Sequence, residues 1–258
     1  MRARVVTAAA LCLLVLGAGC NKKKSFRVAA AADLQLAFQE VATAFKAQGG
    51  ATPSFTFGSS GLLAKQVAEG APFDLFASGN TGYVDQVVAA GACDAATKSA
   101  YARGRLVAWT PPGGPAPPTT LADLADPRFK RIAMANPEHA PYGKAAKQAL
   151  TSVGILAAVQ SRLIPGENVR AALRYAETGD VDVALVSMSL TINKKDGTSL
   201  AIDGALHEPL DQAMVVCKHG KRGEDALAFA SFVASAPGRA IMRRYGFLLP
   251  GEAISAKP

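Results

Sequence analysis

Short apolar runs alternate along most of this chain with segments in which apolar residues recur every three to four positions. Phe26 to Ala32 reads as a strand. From Asp33 onward Leu36, Phe38, Val41, Ala42 and Phe45 fall near a 3.6-residue period, predicting a helix that Gly49-Gly50 ends. Pro53 to Phe57 predicts a second strand and Leu62 to Glu69 a second helix, closed by Gly70; Phe73 to Ser78 and Thr81 to Ala90 repeat the unit. Such alternation implies a parallel sheet flanked by helices.

Leu106 to Trp109 reads as another strand. The Pro/Gly-rich run Thr110 to Pro118 that follows can be neither helix nor central strand, and marks a surface loop at a lobe transition. Beyond it, Leu121 to Leu124 predicts a short helix, Arg131 to Ala135 a strand, Tyr142 to Val153 and Asn168 to Thr178 helices, and Val181 to Val186 a strand running into Ser187-Met188-Ser189. The pattern predicts a second α/β lobe. Ala213 to Cys217 reads as a return strand, and helices over Glu224 to Ala234 and Pro237 to Tyr245 close the chain. The expected organisation is a leader over 1–20, a tether over 21–25, one lobe from 26–105 with 214–258, and a second from 106–213. Ligands of open α/β sheets sit at the carboxyl ends of strands, so two such lobes facing each other make a cleft.

The segment Phe57-Gly58-Ser59-Ser60-Gly61 joins a strand to a helix. Its glycines let the backbone approach a ligand, while Ser hydroxyls and the free N–H groups of the first helical turn point into one small volume, as an anion site requires. Simple helix capping uses the same residue types.

Arg2 and Arg4, an apolar run from Val5 to about Leu16, and Gly17-Ala18-Gly19-Cys20 make up a secretory leader, the run being shorter than the ~20 residues of a membrane span. Cys20 after small residues resembles a lipobox, although Leu16 stands one place further upstream than usual. Lipidation at Cys20 is expected over simple secretion, with the Asn21 to Ser25 tether holding the domain at the membrane surface. The formal charge of +8 is spread without an aromatic-interleaved basic stripe, which argues against nucleic acid and suits long-range steering of anions. Export permits a disulfide between Cys93 and Cys217; two separate thiols fit the sequence equally well.

Six blocks in order carry a resemblance: Val28-Ala29-Ala30-Ala31-Ala32-Asp33-Leu34, Phe57 to Gly61, Gly70-Ala71-Pro72-Phe73-Asp74-Leu75-Phe76, Asn136-Pro137-Glu138-His139-Ala140-Pro141-Tyr142-Gly143, Gly166-Glu167-Asn168-Val169-Arg170, and Arg244-Tyr245-Gly246-Phe247. Over its mature length the chain resembles the substrate-binding component of molybdate ABC transporters. The resemblance implies the type II periplasmic binding protein fold, with two α/β lobes joined by crossing strands and closing by a hinge on a tetrahedral oxyanion. It implies a monomer that binds molybdate or tungstate, with another oxyanion or a small organic anion as the alternative. The partners implied are an ABC permease and its ATPase, with membrane contact only through the lipid anchor.

Carried over by position, the ligand donors are Ser60, the backbone of Tyr142 and of Val169, and Ser187, where many relatives present a Tyr. Ser59, Gly61 and Ser189 are neighbouring candidates. The first-loop Ser of the family falls on Ala32 or Asp33. An ionised Asp33 facing an oxyanion would repel it, so its carboxylate is expected to turn from the cleft and cap its own helix, leaving its N–H available.

Nothing in the pattern points to catalysis or a cofactor. No Gly-x-Ser-x-Gly elbow activates Ser60, His139 reads as a structural loop residue, and His207 and His219 lack ligand spacing with each other or with Cys217, so no directly coordinated metal is expected. Glu138 and Glu167 read as charges complementing helix dipoles, Tyr83, Tyr101 and Tyr175 as core or surface aromatics, and Trp109 as packing near the crossover.

Overall fold

The computed structural model describes residues 25–252. The leader, Cys20 and the tether up to Lys24 lie outside the described residues.

The first sheet begins with β1 (Ser25–Ala31), which is followed by a 3-10 turn, Ala32–Leu34, and α1 (Gln35–Ala47). Then come β2 (Thr52–Gly58), α2 (Ser60–Ala68), β3 (Leu75–Ser78), α3 (Thr81–Ala89) and β4 (Ser99–Arg103). The chain crosses at Gly104-Arg105 into β5 (Leu106–Thr110) and builds a second sheet from β6 (Ile132–Ala135), α4 (Pro141–Ser152), α5 (Leu156–Val159), β7 (Leu163–Gly166), α6 (Val169–Glu177), β8 (Val183–Ser187) and β9 (Thr198–Ala201). It then returns through β10 (Asp211–Val216) and ends in α7 (Gly223–Ala234) and α8 (Ala236–Arg244).

The strand orders are β2-β1-β3-β10-β4 and β7-β6-β8-β5-β9. In each sheet a central strand pairs in parallel on both sides, β1 with β2 and β3, β6 with β7 and β8, and an antiparallel strand follows. The two lobes therefore share one plan, and the carboxyl ends of β1, β2, β6 and β7 each lead into a helical turn. The first sheet buries Phe26, Phe38, Phe45, Phe229 and Phe232 on one face and Phe76, Val84, Val87 and Cys93 on the other. The second packs Trp109, Phe129, Leu124 and Leu150 around β5, β6 and β8.

Cys93 and Cys217, left open by the sequence, form a disulfide beside the end of β10. The strand read as Ala213 to Cys217 starts two residues earlier, and β4, β7 and β9 were not anticipated. Among the described residues no helix is long and apolar enough to cross a membrane.

Candidate functional site

Four helical first turns converge on a small pocket between the lobes. The first lobe contributes Ala31–Asp33, Gly58–Ser60 and Gly79, and the second contributes Ala140–Tyr142 and Asn168-Val169. The first N–H groups of a helix find no acceptor in the helix itself, so each such turn aims donors outward. In α4 the N1 residue is Pro141, which has no N–H, making Tyr142 the first donor. In α6 the Asn168 side chain accepts from Arg170 and Ala171 N–H at 3.0 Å each, leaving Val169 N–H uncapped. Ser60 is buried, and its Oγ accepts from Gly79 N–H at 3.0 Å, which leaves its own proton to donate into the pocket. Among the described residues that line the pocket, Asp33 is the only carboxylate and there is no Lys, Arg or His.

Ser59 occupies the N-cap position of α2 but does not cap it. Its hydroxyl donates to the His139 carbonyl across the cleft at 2.6 Å and lies 2.8 Å from His139 Nδ1. Gly61, a candidate ligand residue, spends its N–H on the same carbonyl at 2.9 Å. A Cβ on Gly61 would stand 2.7 Å from that oxygen and 2.9 Å from Tyr83 Oη, so the lobes meet here at a distance only glycine permits. Ser59, Gly61 and His139 thus make a latch between the lobes.

Asp33 departs from expectation. It does not cap a helix: Ala31 is the N-cap of the 3-10 turn, and no side-chain cap forms there. The Asp33 carboxyl instead turns inward, where Gln212 Nε2 donates to its Oδ2 at 2.6 Å and Tyr142 Oη donates at 3.1 Å. Burial pushes its pKa up to about 6 against the opposing pull of these hydrogen bonds, and the Tyr142 hydroxyl is raised well above its ordinary range, by burial first and then by the nearby Asp33 charge.

Ser187 and Ser189 do not line the pocket, contrary to their expected contact with ligand. They sit behind it, Ser187 donating to Tyr142 Oη at 3.0 Å and Ser189 to the Asp33 carbonyl at 2.6 Å. Gly104 makes room for this cluster, since a Cβ there would lie 2.0 Å from Tyr142 Oη. Ala32 lines the pocket with backbone and methyl alone. The structure thus brings Ala32, Asp33, Ser60, Tyr142 and Val169 together. Sequence reasoning missed Gln212, Gly79 and Gly104, whose own local pattern carried no signal, and the His139 carbonyl, although its loop is one of the six blocks.

A closing cleft between twin α/β lobes, with helix N-termini aimed into it, is the architecture of a solute-binding protein. The chain belongs to the bacterial extracellular solute-binding protein family, which matches residues 26–248. It is 30% identical over 246 residues to the molybdate-binding protein ModA of Escherichia coli (strain K12), covering 93% of this chain and 95% of that protein. It is 29% identical over 250 residues to the putative ABC transporter substrate-binding lipoprotein YvgL of Bacillus subtilis, covering 93% and 95%. The solved structure of the periplasmic molybdate-binding protein of Azotobacter vinelandii matches with a TM-score of 0.81 at 27% identity, over 87% of this chain and 99% of that one. The type II periplasmic binding protein fold implied by the six sequence blocks is the fold observed.

Proposed function

We propose that this protein captures molybdate or tungstate outside the cytoplasm and delivers it to the permease of an ABC transporter and its ATPase. The observation that carries this reading is the pocket itself, where N-terminal turns from both lobes present donors and, among the described residues, no Lys or Arg side chain enters. Helix dipoles and N–H groups stabilise a compact anion there, and the small volume excludes a bulky organic one. The named ligands of the Escherichia coli and Azotobacter relatives support molybdate.

In this mechanism the anion enters an open cleft, meets the donors of one lobe, and draws the other down on it; the Ser59, Gly61 and His139 latch then closes. Discrimination against sulfate rests on cavity size. The protein performs no chemistry on its ligand and needs no cofactor. Lipidation at Cys20 would keep it beside its permease, a reading supported by the lipoprotein name of the Bacillus relative.

Asp33 favours a second reading, a protonated oxyanion such as hydrogen phosphate, whose O–H a carboxylate would accept. Titration calorimetry with molybdate, tungstate, sulfate and phosphate separates the two. Tight binding of molybdate and tungstate with silence from the others supports the first reading, and a phosphate-only response overturns it.

A further inference from the structure

Asp33 is 1% exposed, and among the described residues its carboxyl lies in a cluster that contains no cation. The groups facing it are Tyr142 from α4, Gln212 from β10, Ser187 and Ser189 after β8, and Tyr101 from β4, whose hydroxyl donates to the Ser78 carbonyl. The nearby Arg105 directs its Nε to the Gly246 carbonyl. On α2 and α6 the basic residues Lys65 and Arg170 are paired with Glu69 and Glu177, and Arg174 at the far end of α6 is exposed. The cluster is also short of protons, because the buried Gln212 Oε1 has no donor among the described residues. An oxyanion in the same pocket adds like charge beside this buried carboxyl.

We propose that the closed cleft holds Asp33 as a neutral carboxyl group, so that capture of each oxyanion takes up one proton from solution and is favoured by acid. The balance is simple: open protein with Asp33 as carboxylate, one dianion and one solvent proton give the closed complex with Asp33 protonated. When the lobes part, Asp33 loses Tyr142 of the second lobe and water reaches its carboxyl, while Gln212 of its own sheet stays beside it. Closure removes its water while the anion's charge arrives, and both raise its proton affinity. The position that carries a Ser donor in the family pattern therefore supplies a donor here as well, but only after it has been charged with a proton. Asp33 becomes a specificity-determining residue that makes affinity depend on pH, which a Ser cannot do.

This inference rests on the oxyanion reading, and calorimetry of the purified protein distinguishes their failures. Molybdate is titrated at pH 6 in two buffers of different ionisation enthalpy, MES and imidazole, for the wild type and Asp33→Asn. The wild type is expected to take up about half a proton or more per molybdate, because the closed-state pKa of about 6 is pushed higher by the anion. Its affinity should weaken by up to about tenfold per pH unit wherever uptake approaches one proton. Asp33→Asn should take up none and bind more tightly than the wild type at pH 8. Buffer-independent heats in a wild type that binds molybdate overturn the proposal, as does an unchanged uptake in Asp33→Asn. The wild-type proton count decides the matter even if the variant does not fold. Failure of molybdate, tungstate, sulfate and phosphate alike to bind overturns the oxyanion reading, and this inference with it.

Discussion

Gly61 offers a test of lobe closure separate from the ligand donors. In Gly61→Ala the new methyl group meets the His139 carbonyl oxygen at 2.7 Å and Tyr83 Oη at 2.9 Å, inside the contact distance real Cβ atoms keep. The carbonyl is backbone and cannot rotate away, so the lobes must part by several tenths of an ångström. Two hydrogen bonds end on that oxygen, from Gly61 N–H and Ser59 Oγ, and both lengthen together. At about 0.5 to 1.5 kcal/mol each, their loss disfavours the closed state by about 1 to 3 kcal/mol. Binding requires that state, so apparent affinity for the anion falls by roughly 5- to 150-fold. Calorimetry reads the affinity, while thermal unfolding without ligand should move little, because Gly61 is absent from all three hydrophobic cores. An affinity within twofold of the wild type would show that the latch contributes nothing to capture.

Ser60→Ala removes one donor to a buried anion and should weaken molybdate binding by about 1 to 3 kcal/mol in the same titration; unchanged affinity removes Ser60 from the site. Burial in the closed cleft raises the Asp33 carboxyl from its ordinary 3.8 to about 6, so its contribution to closed-state stability is fully present below the ordinary value and is lost as pH rises through about 6. The loss is about 3 kcal/mol of closed-state stability at neutral pH. With saturating molybdate holding the cleft closed, Asp33→Asn should therefore raise the melting temperature at pH 7.5 and flatten its fall between pH 5 and pH 7.5; the same slope in both liganded proteins contradicts this. The Cys93–Cys217 bond closes a loop of sequence separation 124, so Cys217→Ala or a reductant should lower stability by about 2 to 5 kcal/mol in denaturant titrations.

The alternating apolar runs made the lobes legible because the strands they marked are chiefly interior, where both faces must be apolar. The strands missed, β4, β7 and β9, all lie at sheet edges. There a strand needs only one set of partners, so Pro165-Gly166 can end β7, and the exposed residues of Thr198–Ala201 can form β9. At the site, the positions carried over from the family pattern, Ser60, Tyr142 and Val169, fall on first helical turns that line the pocket. Asp33 was misjudged because capping is a local expectation, whereas its carboxyl is drawn inward by Gln212, 179 residues away, and by Tyr142, 109 residues away. Ser187 was misjudged for a related reason. It ends a buried strand as expected, but Tyr142 Oη from α4 takes up its hydroxyl.

β10 lies between β3 and β4, yet it is made only after the entire second sheet. As the chain emerges from its amino end, β3 and β4 appear early with a strand's width missing between them, and their facing edges stay unpaired until β10 arrives. The second lobe, by contrast, runs unbroken from β5 to β9 and holds all of its strands before the first lobe is whole. An exported chain thus completes its later lobe first, and its earlier lobe is the one exposed to mispairing until the last strand slides in and Cys217 reaches Cys93 to seal it.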